Sequence, residues 1–224
     1  MTSQLYLIPQ WFFGYGIALE LIFAAITFIV AVYAFKMYKL SYEKSCQVLG
    51  AGFLLISAAY ATWSLVNIYF FLTLRNLGYV SLDEITSLGV FGVYAYVIFS
   101  ILGLTTLVYL TLKTKSYRVF STIATLSLLV FIFAAQKALA FYFVSSFLIL
   151  LVFIHYFKEY SRGKKKSTFL LMIAFLFLLI SNLDFTLATI QDVHYVIGHV
   201  LSLFAYILIF SSFIMTLRAA RGNG

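Results

Sequence analysis

Seven apolar stretches separated by short polar or basic ones fill nearly all of this 224-residue chain. They fall at about 11–35, 47–74, 86–112, 119–135, 139–157, 168–190 and 194–217. A helix needs roughly 20 apolar residues to cross a bilayer. The pattern therefore predicts an all-α bundle of seven transmembrane helices, with residues 1–224 as a single integral membrane domain. Residues 119–157 run almost unbroken, with only Gln136-Lys137 in the middle. One straight helix there would measure roughly 58 Å at 1.5 Å per residue, about twice the ~30 Å hydrocarbon core. A hairpin at Gln136-Lys137 is the economical alternative, although no Gly or Pro marks it.

Polar residues inside these stretches recur three, four or seven apart and so share helix faces. In the first stretch Glu20 shares its face with Gly16, Ala24, Thr27 and Ala31. Small residues let helices approach closely in membranes, so this face is expected to point inward. Ser57, Tyr60, Ser64 and Asn67 form a stripe in the second stretch. Gly89, Gly92, Tyr96, Ser100 and Gly103 form one in the third and mark a tightly packed helix. In the sixth, Asp184 lines up with Ser181, Ala188 and Gln191; in the seventh, Asp192, Tyr195, His199, Ser202 and Tyr206 align. Glu20 and Asp184 carry the most information. An ionisable group in hydrocarbon costs about 2.5–3.5 kcal/mol on insertion scales, and it normally faces a bundle interior or a wet cavity.

Charge adds an orientation. Thirteen of the 15 basic residues follow the first, third, fifth and seventh stretches. They are Lys36, Lys39 and Lys44; Lys113, Lys115 and Arg118; Lys158, Arg162, Lys164, Lys165 and Lys166; and Arg218 and Arg221. Arg75 and Lys137 fall on the other side. By the positive-inside rule the basic side is cytoplasmic. The N-terminus is then outside and the C-terminus inside a multi-pass protein of the cell membrane. Met1–Gln10 has no basic segment of the kind that opens a cleavable signal peptide. The net charge of +8 thus sits in short loops, and no nucleic-acid partner is expected. The Lys164-Lys165-Lys166 run reads first as a topology signal; recognition of anionic lipid or of a protein partner is the sharper reading.

This topology places Glu20, Ser64, Asn67, Tyr96, Gln136, Lys137, Asp184 and His199 in the outer half. The expected product is a polar, partly wet cavity opening outward. Its candidate ligand-binding residues are Glu20, Tyr60, Ser64, Asn67, Tyr96, Lys137, Asp184, His199 and Tyr206. Asp184 or Glu20 is expected to pair with Lys137 or with protonated His199. The plainer reading is a hydrogen-bonded network that holds the helices in register. A proton or ion relay is a third.

An internal repeat is also visible. Segment 33–45, YAFKMYKLSYEKS, aligns with 155–167, HYFKEYSRGKKKS, and FLLIS occurs at 53–57 and again at 177–181. Ala95-Tyr96 has a counterpart in Ala205-Tyr206. Stretches one to three thus match five to seven, with halves at about 11–113 and 139–218 and a linker helix at about 119–135. Both halves enter from the same side, so the repeat is parallel.

Composition removes several functions. With 64% hydrophobic and 10% charged residues, against about 25% charged in soluble domains, there is no room for a soluble domain. The single Cys46 excludes a disulfide framework, and it has no nearby histidine to serve as a base. His155 lies near the inner end of its span, while His194 and His199 lie toward the outer end of theirs, so they cannot share a haem. Zinc hydrolases related to alkaline ceramidase use three histidines, but the second stretch here has none. No GxSxG elbow is present. No cofactor, no metal site and no enzymatic activity are expected.

The topology resembles that of microbial rhodopsins, but residues 194–217 contain no lysine to bind retinal and the third stretch contains no acid. It also resembles the organisation of SWEET sugar transporters, whose halves carry Pro-Gln turns; here the one such pair, Pro9-Gln10, precedes the first stretch. WFFGYGIALELIFAAITFIVAVYAFKMYKL at 11–40 and LGAGFLLISAAYATWSLVN at 49–67 resemble a family of small archaeal seven-helix membrane proteins, a resemblance that implies an archaeal source and no particular activity. The expected function is a non-enzymatic receptor- or sensor-like membrane protein in contact with membrane lipids. Its basic loops would meet a cytoplasmic or membrane protein partner. The alternatives are a small proton-coupled or facilitative transporter and a structural subunit of a membrane complex.

Overall fold

A computed structural model describes residues 10–77, 83, 85–112, 114, 116–188 and 190–222. Met1–Pro9, and with them Pro9 of the Pro-Gln pair, lie outside the described residues, as do the loop lysines Lys113 and Lys115. The described residues contain seven α-helices and no strand. These are α1 (Phe13–Ser41), α2 (Lys44–Leu77), α3 (Val90–Thr111), α4 (Tyr117–Phe133), α5 (Lys137–Gly163), α6 (Lys166–Leu187) and α7 (Val193–Gly222). A short 3₁₀ turn, Gln10–Phe12, precedes α1, and one π-helical turn, Ile85–Gly89, precedes α3.

All of these helices except α4 are long and apolar enough to cross a membrane. α4 is apolar but 17 residues long, at the lower end of the roughly 17–25 residues with which helices span a bilayer. Large apolar side chains stand exposed along the helices, among them Phe28, Leu65, Leu126, Phe143, Phe147 and Phe204. In water such a surface would drive association; against lipid tails it carries no such cost. Six candidate spans and this surface mark a multi-pass membrane protein.

The helices overrun the apolar stretches at several ends because two different forces set the two boundaries. Hydropathy marks the hydrocarbon zone, whereas a helix continues until its hydrogen-bond ladder is broken. α1 therefore carries Lys36 and Lys39 within the helix and stops only at Tyr42, which is left-handed (φ 56°), with its N–H donating to Tyr38 O at 2.8 Å. α5 stops the same way at Lys164 (φ 47°), whose N–H donates to Tyr160 O at 2.8 Å. Left-handed backbone costs a non-glycine residue about 1–2 kcal/mol. Among the described residues these are the two non-glycine positions that adopt it, and they occupy matching positions in the aligned segments 33–45 and 155–167. The next helices also begin at matching lysines, Lys44 and Lys166.

The expected break at Gln136-Lys137 appears slightly earlier: α4 ends at Phe133, Ala134 and Gln136 are extended, and Lys137 opens α5. Lys137 takes the place of a Gly or Pro signal. Its Nζ donates to Ile132 O and to Phe131 O, the latter at 3.2 Å. It thereby satisfies carbonyls that the end of α4 leaves without helical partners. The ammonium also lies 5.7 Å from the Phe131 ring centroid, within cation–π range.

The described chain forms two compact units, Gln10–Gly103 and Leu104 onward, with the division inside α3. In the first unit α1 packs on α2, and Phe23, Val30, Ala34, Phe53, Ala59 and Val66 are buried. The glycine stripe of α3 brings that helix against α2. A Cβ on Gly92 would stand 3.0 Å from Val66 Cγ2, and one on Gly103 would stand 2.9 Å from the Gly52 carbonyl oxygen. In the second unit the core of α5, α6 and α7 includes Leu148, Val152, Phe175, Leu178, Ala205 and Ile209. Tyr156 stacks on Phe175, with centroids 5.3 Å apart and the rings 7° from parallel. Ser212 Oγ donates to Ser167 O at 2.8 Å and ties α7 to the start of α6.

Candidate functional site

Each unit contains one polar cluster built on a helical hairpin. In the first unit the predicted inward face of α1 is buried: Gly16, Glu20, Ala24, Thr27 and Ala31 are all sealed. Thr27 Oγ1 folds back onto Phe23 O (2.7 Å) and Ala24 O (3.1 Å), spending its hydroxyl within its own helix. Ser57 of α2 donates across to Ala24 O at 2.8 Å. Two turns or more further along the same α2 stripe lie Ser64 and Asn67, buried to 0% and 1% exposure. Asn67 Nδ2 donates to Glu20 Oε2 at 3.3 Å. The buried carboxylate thus has an amide donor from the facing helix. Asn67 Oδ1 and Ser64 Oγ have no hydrogen-bond partner among the described residues. An aromatic group adjoins the stripe: Tyr60 packs edge-on to Phe23 (5.4 Å) and Tyr96 (5.9 Å), and Trp63 lies 6.0 Å from Tyr96.

In the second unit the expected partners change. Asp184 pairs with His194, Nδ1 to Oδ1 at 2.9 Å, and not with Lys137 or His199. Lys137 is drawn instead to the carbonyls at the end of α4. His199 Nδ1 bonds to Tyr195 O, one turn back, at 2.9 Å, and its ring stands edge-on to Phe185 at 5.0 Å. Close approach of α6 and α7 is secured by Ser181, whose Oγ reaches Gly198 O (2.8 Å) and shares a hydrogen bond with Ser202 Oγ (2.7 Å). A Cβ on Gly198 would stand 2.7 Å from Phe185 Cε1, so the Phe185 ring would have to shift to admit one. Tyr195, His199, Ser202 and Tyr206 form the buried stripe expected of them. Gln191 and Asp192, expected on helix faces, are exposed residues of the α6–α7 connection, because α6 already ends at Leu187.

The candidate residues therefore divide. Glu20, Tyr60, Ser64, Asn67 and Tyr96 belong to the first unit; Lys137, Asp184, His199 and Tyr206 belong to the second. Sequence reasoning did not pair His194 with Asp184. The spacing carried the signal: a ten-residue separation spanning a short connection is what two facing helix ends require. Serine bonds to carbonyls of a neighbouring helix had no signal beyond the stripes themselves. No protein-family model, curated protein or solved structure matches this chain.

Proposed function

We propose that this chain is a non-enzymatic, receptor- or sensor-like protein of the cell membrane, whose ligand-binding determinant is the Glu20–Ser64–Asn67 cluster of the α1–α2 hairpin. The observation that carries this reading is the incomplete satisfaction of a sealed polar site. A purely structural network saturates its buried groups, as Ser181 does with two partners. Asn67 Oδ1 and Ser64 Oγ lack partners among the described residues; Thr105, Ser145 and Ser146 also leave hydroxyls without partners, but Asn67 Oδ1 is the one amide oxygen so left. An unsatisfied buried group costs about 1–3 kcal/mol, and a ligand that supplies the missing partner recovers that cost. Tyr60, Trp63 and Tyr96 give the neighbouring wall an aromatic character suited to a ligand with an apolar part.

The wider organisation belongs to the same proposal: seven spans, N-terminus outside, C-terminus inside, and a parallel 3+1+3 repeat. The twin left-handed ends at Tyr42 and Lys164 support the repeat, and the one-sided basic loops support the orientation. The basic loops would pass a change in helix packing to a partner, the ligand acting by favouring one of two packings. The resemblance to archaeal membrane proteins is part of this reading too.

A structural-subunit reading has one observation in its favour, namely that Glu20 and Asp184 each already hold a hydrogen-bond partner. The two readings separate in a thermal-shift screen of the purified protein against small molecules and lipids, with Glu20→Gln beside the wild type. A ligand that binds the folded state raises its stability by mass action. The receptor reading expects hits on the wild type that the variant loses. A variant that is merely less stable, with no hit on either protein, refutes it.

A further inference from the structure

Two connections between helices share one build. α1 ends at Ser41, Tyr42 is left-handed, one residue follows, and α2 begins at Lys44. α5 ends at Gly163, Lys164 is left-handed, one residue follows, and α6 begins at Lys166. The residue that follows differs in sign. In the first turn it is Glu43, whose carboxylate accepts a hydrogen bond from Ser45 Oγ. In the second it is Lys165, with Ser167 at the place of Ser45. The first turn thus carries an anion of its own beside Lys44, and the second carries three consecutive lysines instead. Consecutive Cα atoms are about 3.8 Å apart, so Lys164, Lys165 and Lys166 crowd one spot. Lys158 and Arg162, four apart, share a face at the end of α5. Tyr160 of α5 packs against Phe169 of α6, ring centroids 5.1 Å apart, which holds the two basic helix ends side by side. All five basic residues are exposed. Glu159 is the one acid between positions 158 and 166. Among the described residues the one ion pair joins His194 and Asp184 and engages none of this group.

We propose that the α5–α6 turn binds the headgroup of an anionic phospholipid; this is independent of the reading of the Glu20–Ser64–Asn67 cluster. Three observations select a lipid. The turn joins two helices long and apolar enough to cross a membrane, Lys137–Gly163 and Lys166–Leu187, so it is held at the level of the headgroups. Its charge is unbalanced by the chain itself, and each Lys or Arg near an anionic membrane surface strengthens binding about fivefold. Its basic residues continue directly into exposed apolar ones. Ile154 (37% exposed) shares a face of α5 with Lys158, Phe157 (51%) stands beside it, and Phe169 (40%) shares a face of α6 with Lys166. A phospholipid answers both halves of this surface, its phosphate meeting the lysines and its acyl chains the apolar side chains. Free phosphate would leave the apolar half uncovered, and an acidic soluble protein would not reach below the headgroups. A lipid held there would relieve the repulsion among the lysines and brace α5 against α6.

The test is thermal unfolding of the purified full chain in a neutral detergent, titrated with phosphatidylglycerol or with phosphatidylcholine of the same acyl chains. Phosphatidylglycerol is expected to raise the Tm saturably, by roughly 5–10 °C at a hundredfold excess over the apparent Kd, and phosphatidylcholine is not. Added salt should weaken the response. Two triple variants remove the same charge from the two turns. Lys164→Gln/Lys165→Gln/Lys166→Gln is expected to weaken the apparent affinity at least about tenfold, and Lys36→Gln/Lys39→Gln/Lys44→Gln by less than about fivefold. If the first of these does not fold, Lys165→Glu decides, because the α1–α2 turn holds Glu43 at that place; it too should weaken the lipid at least about tenfold. Equal Tm in the two lipids overturns the proposal. A loss as large in the α1–α2 triple as in the α5–α6 triple also overturns it, marking surface charge in general. A full shift with inorganic phosphate alone, or with a soluble polyglutamate peptide where the lipid gives none, would assign the turn to a free anion or to an acidic protein and overturn the lipid.

Discussion

Gly103→Ala puts one methyl group where α3 meets α2. The added Cβ would lie 2.7 Å from Ile56 Cγ1, 2.9 Å from Gly52 O and 3.2 Å from Ile56 N. Two of these three neighbours are backbone atoms, so no rotamer change relieves the clash. Moving Gly52 O from 2.9 Å to an ordinary contact near 3.4 Å requires the helices to part by about 0.5 Å. A gap of that size forfeits about a quarter of each dispersion contact, and each contact is worth about 0.1–0.2 kcal/mol. Over some 40–60 atom pairs the loss is about 1–3 kcal/mol, the range seen for overpacked cores. The better helix propensity of Ala returns about 0.5–1 kcal/mol, leaving a net destabilisation of up to about 2.5 kcal/mol. Gly14→Ala is the internal control, because nothing lies within 4 Å of a Cβ there; it should be neutral or slightly stabilising. Both variants would be followed by equilibrium unfolding in mixed detergent micelles. A Gly103→Ala protein as stable as Gly14→Ala would refute the close α2–α3 contact.

Other perturbations probe the second unit. Ser181→Ala removes bonds to Gly198 O and Ser202 Oγ and should cost about 0.6–2 kcal/mol in the same unfolding assay, the span between membrane and aqueous values. A double-mutant cycle of Asp184→Asn with His194→Ala should return a coupling of about 1 kcal/mol, whereas Asp184→Asn with Lys137→Met should be additive, because Lys137 bonds to the end of α4. Lys137→Met alone should cost about 0.3–1 kcal/mol and raise amide exchange at the α4–α5 turn.

The sequence made the helices legible because lipid imposes one demand, long apolar runs, and the chain meets it with almost no interruption. Helix ends were less legible. Lys36, Lys39, Lys158 and Arg162 lie beyond the apolar stretches yet inside helices, since a charged residue does not break a hydrogen-bond ladder. The left-handed ends at Tyr42 and Lys164 could not be anticipated from residue type, as neither is Gly or Asn. The buried stripes of α1, α2 and α7 were readable from three- and four-residue spacing, because face sharing follows from helix geometry alone. Partner choice was not. Periodicity places Asp184 on a face but says nothing of a connection short enough to deliver His194. Lys137 looked available to an acid and was taken up by nearby carbonyls.

The most direct test of the account is thiol accessibility, for which the single cysteine is convenient. In a Cys46→Ser background, Trp11→Cys and Lys164→Cys would be challenged in intact cells with a membrane-impermeant thiol reagent. The account predicts labelling of Trp11→Cys, at an exposed position, from outside. Lys164→Cys should react only after the membrane is opened. Trp11→Cys that reacts only after the membrane is opened, or Lys164→Cys that reacts in intact cells, would contradict the orientation that places the Glu20–Ser64–Asn67 cluster in the outer half.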